Sequence, residues 1–229
     1  MTRTIEVKIY QYDELPTPKA KERARDWFRE GNQQSYDWWD AIYEDAKEVA
    51  ARLGVDLGTK EVKLMSGKSR YDPAIYFTGF SSQGDGACFE GKWEAKLVPT
   101  KAPDEASGSM DPYAYFEEAI KDHAPQDEML QAIAREFDKA RAFKTEEPGE
   151  HPEARCKHSG HYYHSGCMDV ETNLASSEEH TKLRDALRMF ANWIYEQLRR
   201  EDEYLNEDTT VEDNIRANKY EFNEDGTRA

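Results

Sequence analysis

From Ser177 to Tyr204 the apolar residues Leu183, Ala186, Leu187, Phe190, Trp193, Ile194 and Leu198 recur at steps of three, one, three, three, one and four. That spacing puts all seven on one face of a long helix. A stripe of this length has to be buried against a second layer, so the chain needs a core that one helix cannot make alone. A second stripe, Trp39, Ile42, Ala46, Val49, Ala50 and Leu53, follows Ser35 as its N-cap. It stops at Gly54, where a left-handed C-terminal cap is expected. Ala20, Ala24, Trp27 and Phe28 form a shorter stripe behind the cap Thr17 and Pro18 at the first helical position. Two further helices are predicted over Tyr113–His123 and around Met129, Leu130, Ile133, Ala134, Phe137 and Ala140. Thr209 or Thr210 is expected to cap a short last helix with Val211 and Ile215.

Strand patterns lie between these helices. Ile5, Val7 and Ile9 alternate with Glu6 and Lys8 over 4–10. Val62, Leu64 and Met65 form a short run, and Ile75–Phe80 and Ala87–Lys96 read as an antiparallel hairpin around Ser81–Gly86. Residues 161–173 and 219–222 return to strand character. Helices and strands come in blocks rather than in strict alternation. The expectation is one α+β domain over 1–229, an antiparallel β-sheet packed by long amphipathic helices, with surface loops near 99–112 and 144–157.

The charge narrows function. There are 31 Lys+Arg and 47 Asp+Glu, a formal net charge of −16. Direct nucleic-acid binding is not expected, because phosphate contacts need a basic face. Solubility explains such a charge in most proteins, and docking on a basic partner surface, as far as a mimic of DNA's charge, is the sharper reading. An acidic disordered tail has few aromatics, whereas this chain has 5 Trp, 13 Tyr and 9 Phe, so a folded, aromatic core is expected. No apolar run approaches the ~20 residues of a membrane span. Three cysteines and a polar N-terminus read as a reducing cytoplasm.

Four constellations carry candidate chemistry. Cys156, His158, His161, His164 and Cys167 offer five candidate ligands within twelve residues, and zinc takes four of this kind. Their spacing is not that of two close pairs, and on a strand His161 and His164 face opposite ways. Gln83-Gly84-Asp85-Gly86 sets a carboxylate between glycines, either to meet a metal or to close its own turn, with Gln83 and Asp85 as the exposed groups. Trp38 lies off the stripe of Trp39 and is a candidate interface anchor. Asp37, Asp40, Glu44 and Glu48 share one helical face, and residues 201–213, beginning Glu201, Asp202, Glu203, hold seven acids and no base. Such rows are solvated faces or negative stripes aimed at Arg and Lys of a partner. No phosphate-binding Gly-x4-Gly-Lys loop, Gly-x-Ser-x-Gly elbow or His-Glu-x2-His helix occurs. Nothing therefore marks the chain as an enzyme.

Ile9–Leu15, Tyr36–Asp45, Ile75–Ala87, Gly160–His164 and Ile215–Gly226 together resemble a family of uncharacterised phage and prophage proteins, some labelled antitoxin of a toxin–antitoxin stability system. The resemblance implies a mobile-element origin and an accessory role in a bacterial host, and it supplies no catalytic residues. The expected function is an acidic accessory protein without a cofactor. It would bind and neutralise a host, toxin or defence protein with a basic surface by occlusion. The alternative is a metal-dependent enzyme or zinc-stabilised module built on the 156–167 cluster and Asp85.

Overall fold

The computed structural model describes residues 8–32, 37–64, 66–96, 98–99 and 113–229. The expected strand at 4–7, the Ser35 cap, Met65 and the loop at 100–112 lie outside them. In chain order the elements are β1 (Tyr10–Gln11), α1 (Pro18–Asn32), α2 (Asp40–Arg52), β2 (Val55–Leu57), β3 (Thr59–Lys63), β4 (Ser69–Pro73), β5 (Ile75–Phe77), β6 (Ala87–Phe89) and β7 (Gly91–Glu94). They continue with β8 (Val98–Pro99), β9 (Tyr113–Ala114), α3 (Phe116–His123), α4 (Glu128–Ala140), β10 (Glu153–His158), β11 (Met168–Thr172), α5 (Ser177–Asn206), α6 (Asp208–Ala217) and β12 (Glu221–Phe222). The fold is α+β with antiparallel pairing throughout the described strands. No helix among the described residues is long and apolar enough to cross a membrane.

The chain divides into two compact units, Met1–Trp39 with Arg199–Ala229, and Asp40–Leu198. The first joins the two ends of the sequence. β1 pairs with β12, Tyr10 opposite Phe222. Its core is Tyr12, Leu15, Ala20, Ala24, Phe28, Val211, Ile215 and Phe222. The Thr17 hydroxyl accepts from Ala20 N–H at 3.1 Å, the expected cap of α1. Around this small core runs an ion-pair network. Arg25 meets Glu212 at 3.0 Å, Arg29 meets Asp208 at 2.5 Å, and Arg216 meets Asp13 at 3.0 Å and Asp213 at 2.9 Å. Tyr12 donates its hydroxyl to Glu212 at 2.8 Å. Burial opposes ionisation of Glu212, yet hydrogen bonds from Tyr12, Arg216 and Arg25 hold it below the usual carboxylate range. α6 begins at Asp208, two or three residues earlier than Thr209 or Thr210 would set it, with Glu207 as the N-cap.

In the second unit a four-stranded sheet has the order β11-β10-β7-β2. Its centre is aromatic. Trp93 is fully buried and donates its indole N–H to the Leu53 carbonyl at 3.0 Å. Phe137 lies 5.5 Å from the Trp93 ring, and Phe89 and Phe190 are 5.5 Å apart. α5 supplies the stripe expected of it: Leu183, Ala186, Leu187, Phe190, Trp193, Ile194 and Leu198 are all buried. Gly54 ends α2 in the left-handed region, φ +72°.

Three strands differ from expectation. The run 87–96 breaks at Glu90 into β6 and β7, because the two halves pair differently: β6 with β5, and β7 with β2 and β10. The break is a backbone junction. Gly58 N–H donates to Glu90 O at 2.8 Å, Glu90 N–H to Ala74 O at 2.9 Å, and Ala74 N–H to Gly58 O at 2.7 Å. Each bent strand thereby changes partner without leaving its amides unbonded. The polar loop expected to reach 157 ends at Pro152, where β10 begins. Residues 161–167 are a turn rather than a strand, linking β10 to β11 and ending in a short 3-10 segment, Ser165–Cys167.

Candidate functional site

Two sequence segments picked out separately meet at one end of the four-stranded sheet. One is the loop 78–86 between β5 and β6, and the other is the turn 159–167 between β10 and β11. Their contact is Gly86 on His164: a Cβ on Gly86 would stand 2.7 Å from the imidazole Cδ2 and 3.1 Å from the His164 Cα. Only glycine allows this approach.

The first loop is closed on itself. The Asp85 carboxylate accepts from Ser81 N–H at 2.9 Å and Ser82 N–H at 2.6 Å. These backbone bonds, with Thr78 adding to them, hold Asp85 below its ordinary range. Thr78 N–H reaches Gly86 O at 3.1 Å, and Gly84 takes φ +101°. Tyr195 of α5 donates its hydroxyl to Gly79 O at 3.0 Å. Asp85 therefore builds the turn, and Gln83 is left exposed at its tip.

The second loop is held by different means. Ser159 N–H bonds Cys167 O at 2.8 Å, and Arg188 of α5 donates to Gly166 O and Met168 O, both at 3.1 Å. His164 Nδ1 accepts from Gly166 N–H at 2.9 Å. His158 N–H reaches the Glu90 carboxylate at 3.3 Å. Tyr163 stacks on Tyr76 with centroids 5.2 Å apart, and His158 packs on Tyr163 at 5.0 Å. The Lys60 ammonium lies 4.7 Å from the centroid of Tyr76 and 5.2 Å from that of Tyr43, and donates to the Ile75 carbonyl. Burial lowers the Lys60 pKa and raises that of the Tyr76 phenol, with Glu90 adding to the latter. On this braced turn Tyr162 stands 60% exposed, with His161 edge-on at 5.4 Å.

The histidine–cysteine cluster is dispersed. Cys156 is buried in β10 and His158 is half-buried, while His161 and His164 are exposed on the turn and Cys167 closes it. Burial pushes the Cys156 thiol up to about 12, away from the thiolate a metal needs. His164 has committed Nδ1 to the backbone. Among the described residues no three His, Cys, Asp or Glu side chains gather as a metal-binding group. The donors as placed thus do not converge on a zinc ion. Cys88, also pushed up to about 12 mainly by burial, is an inert core thiol.

The acidic candidates are scattered. Asp40 pairs with Arg70 at 3.4 Å, and Glu44 approaches Lys47 at 3.9 Å. Glu48 is exposed on the same helix and Asp37 half-buried before it. Trp38 is half-buried, edge-on to Trp39 at 5.7 Å. In the run 201–213, Asp208, Glu212 and Asp213 belong to the first unit's ion-pair network. Glu203 pairs with Arg199. Asp202 accepts from Asn206, and burial raises its carboxyl. Glu201 is half-buried. Much of what reads as a free negative stripe is internal pairing. Lys60 and the Tyr76–Tyr163 stack went unseen in the sequence. A signal for Lys60 exists, since it shares the inward side of β3 with Val62.

Residues 38–208 match the family model of a domain of unknown function, DUF8835, and the chain belongs to that family. The matched span takes in the whole of the second unit, and with it both loops. No curated protein and no solved structure matches the chain.

Proposed function

We propose that this is an acidic, non-enzymatic accessory protein of phage type that binds and neutralises a host, toxin or defence protein by occlusion, and that the paired loops 78–86 and 159–167 are its recognition surface. The observation that carries the reading is an exposed aromatic on an immobilised support. Tyr162 is 60% exposed on a turn pinned by Arg188, by Tyr76 stacking and by the Gly86–His164 contact. A large side chain presented from a rigid loop loses little entropy on binding, which is what interface anchors require. The net charge of −16 favours a basic partner by steering its approach. The resemblance to phage and prophage proteins supports the accessory setting.

The test is a tagged pull-down of the full chain from a nuclease-treated bacterial lysate, repeated with Tyr162→Ala and Gln83→Ala. One stoichiometric partner, released by salt, is expected. Tyr162→Ala should weaken its binding at least about tenfold, the scale of an aromatic hot spot, while the circular dichroism spectrum stays unchanged. A partner retained undiminished by both variants, or none across the salt range, overturns the reading.

A further inference from the structure

The other end of the same sheet holds a cavity of about 660 Å³, within the roughly 300–1,000 Å³ usual for small-molecule sites. It lies where β7 ends, β10 begins and β11 ends, with Arg141 at the C-terminus of α4 as a further wall. Asn173 staples it. Its amide oxygen accepts from Glu153 N–H at 2.9 Å, and its NH₂ donates to His151 O at 2.9 Å and to the Glu150 carboxylate at 3.3 Å.

Most charges lining the cavity already have partners. Glu94 sits between Lys92 at 2.9 Å and Lys96 at 2.8 Å, and Glu153 meets Lys92 at 2.8 Å. Two groups remain. The Arg141 guanidinium donates no hydrogen bond to any described residue; its Nη1 is buried, while the side chain as a whole is 20% exposed. The nearest carboxylate, Asp138, is 3.8 Å away, and its oxygens already accept from Phe116 N–H at 3.1 Å and Glu117 N–H at 2.9 Å. The Tyr115 ring, 4.5 Å from the guanidinium carbon, supports that group without using its donors. Glu150 has the Asn173 amide and no cation within ion-pair distance among the described residues.

A buried guanidinium nitrogen without an acceptor costs free energy until one reaches it, and a carboxylate is the best geometric match to the guanidinium fork. The unpaired Glu150 on the same cavity favours a positive group on the same ligand. We propose that the cavity binds a zwitterionic ligand of the amino-acid type, a free amino acid or a short peptide, its carboxylate on Arg141 and its ammonium on Glu150. The proposal is independent of the loop-end reading.

Isothermal titration of the full chain tests it, with one panel of the proteinogenic free amino acids and one of alanyl dipeptides, each at millimolar concentration. At least one member is expected to bind, and N-acetylation or C-amidation should weaken it by at least about tenfold, the worth of one charge-assisted contact. Binding by free amino acids identifies the smaller ligand, and binding by dipeptides alone identifies a peptide. Glu150→Gln, at the exposed rim, should leave the thermal melt unchanged and abolish the penalty for acetylation. Arg141→Gln should abolish the penalty for amidation. If Arg141→Gln fails to fold, the Glu150 arm still decides. Silence from both panels, or binding indifferent to blocked termini, overturns the proposal.

Discussion

The two ends of the four-stranded sheet are served by the same strands, β7, β10 and β11, and are opposite in chemistry. At the loop end, Gly, Ser, Tyr and His residues close on themselves: Asp85 on Ser81 and Ser82, His164 on Gly166, Tyr163 on Tyr76. What it offers outward is an aromatic tip. At the cavity end, Glu, Lys and Arg residues line a hollow, and one guanidinium donates no hydrogen bond to any described residue. A saturated, braced surface suits a macromolecule that brings its own pockets. An unsaturated hollow suits a small ligand that completes it. One sheet can thus carry two different recognition problems, because the residues just beyond the strand ends, not the strands, set the chemistry.

The comparison requires that the ends share a core and differ in everything else. Trp93, fully buried on β7, is the shared element. Trp93→Ala should cost about 3–5 kcal/mol, as other large aromatic truncations do, and should abolish both partner capture and ligand heat. Chemical denaturation measures the first and the two binding assays the second. Retention of either activity in a destabilised but folded variant would show that end to be built independently of the sheet. Gly86→Ala is the narrower blow. Its backbone φ is not in the left-handed region, so the penalty comes from the approach to His164, 2.7 Å to the imidazole Cδ2 and 3.1 Å to the Cα. A loss of about 1–3 kcal/mol is expected, on the scale of overpacking, with partner capture lost and ligand heat at the cavity unchanged. A melt indistinguishable from the parent would mean that the loops do not rest on one another.

These two variants also mark how far the sequence could be read. α1 and α5 were legible because their signals are local: the Thr17 cap, and an apolar stripe that turns out buried at all seven positions. The end of α2 was legible too, in the left-handed Gly54. The break at Glu90 was not, because its cause lies in Gly58 and Ala74, far off in sequence. The turn at 161–167 looked like a strand because Tyr and His favour strands, although Gly160, at φ +103°, punctuates it. Both candidate loops were visible as strings, while their contact was not. The acidic run showed its charge but not its answer, since Arg25 and Arg29 meet it from the other end of the chain. The cavity left no trace in any one segment, being assembled from residues between Glu94 and Asn173.

The smallest expected effect tests the charge assignment at the cavity end. Lys96 and then Lys92 hold the Glu94 carboxyl down at about 2, against roughly 4.3 for an unperturbed Glu. A carboxyl depressed on folding contributes stability that is fully present above its unfolded pKa and is lost as pH falls through the folded one. The loss should therefore run from a little above pH 4 down to about pH 2. With the side chain 37% exposed, water screens much of the gain, and less than about 1 kcal/mol is expected. Glu94→Gln should flatten that stretch of the acid-unfolding curve, by less in high salt, and leave partner capture at the loop end untouched. An unaltered acid limb would mean that Lys92 and Lys96 are not held by Glu94. Lys96, which lines the cavity, would then compete with Arg141 for the ligand's carboxylate, and the assignment of that group to Arg141 would fail with it.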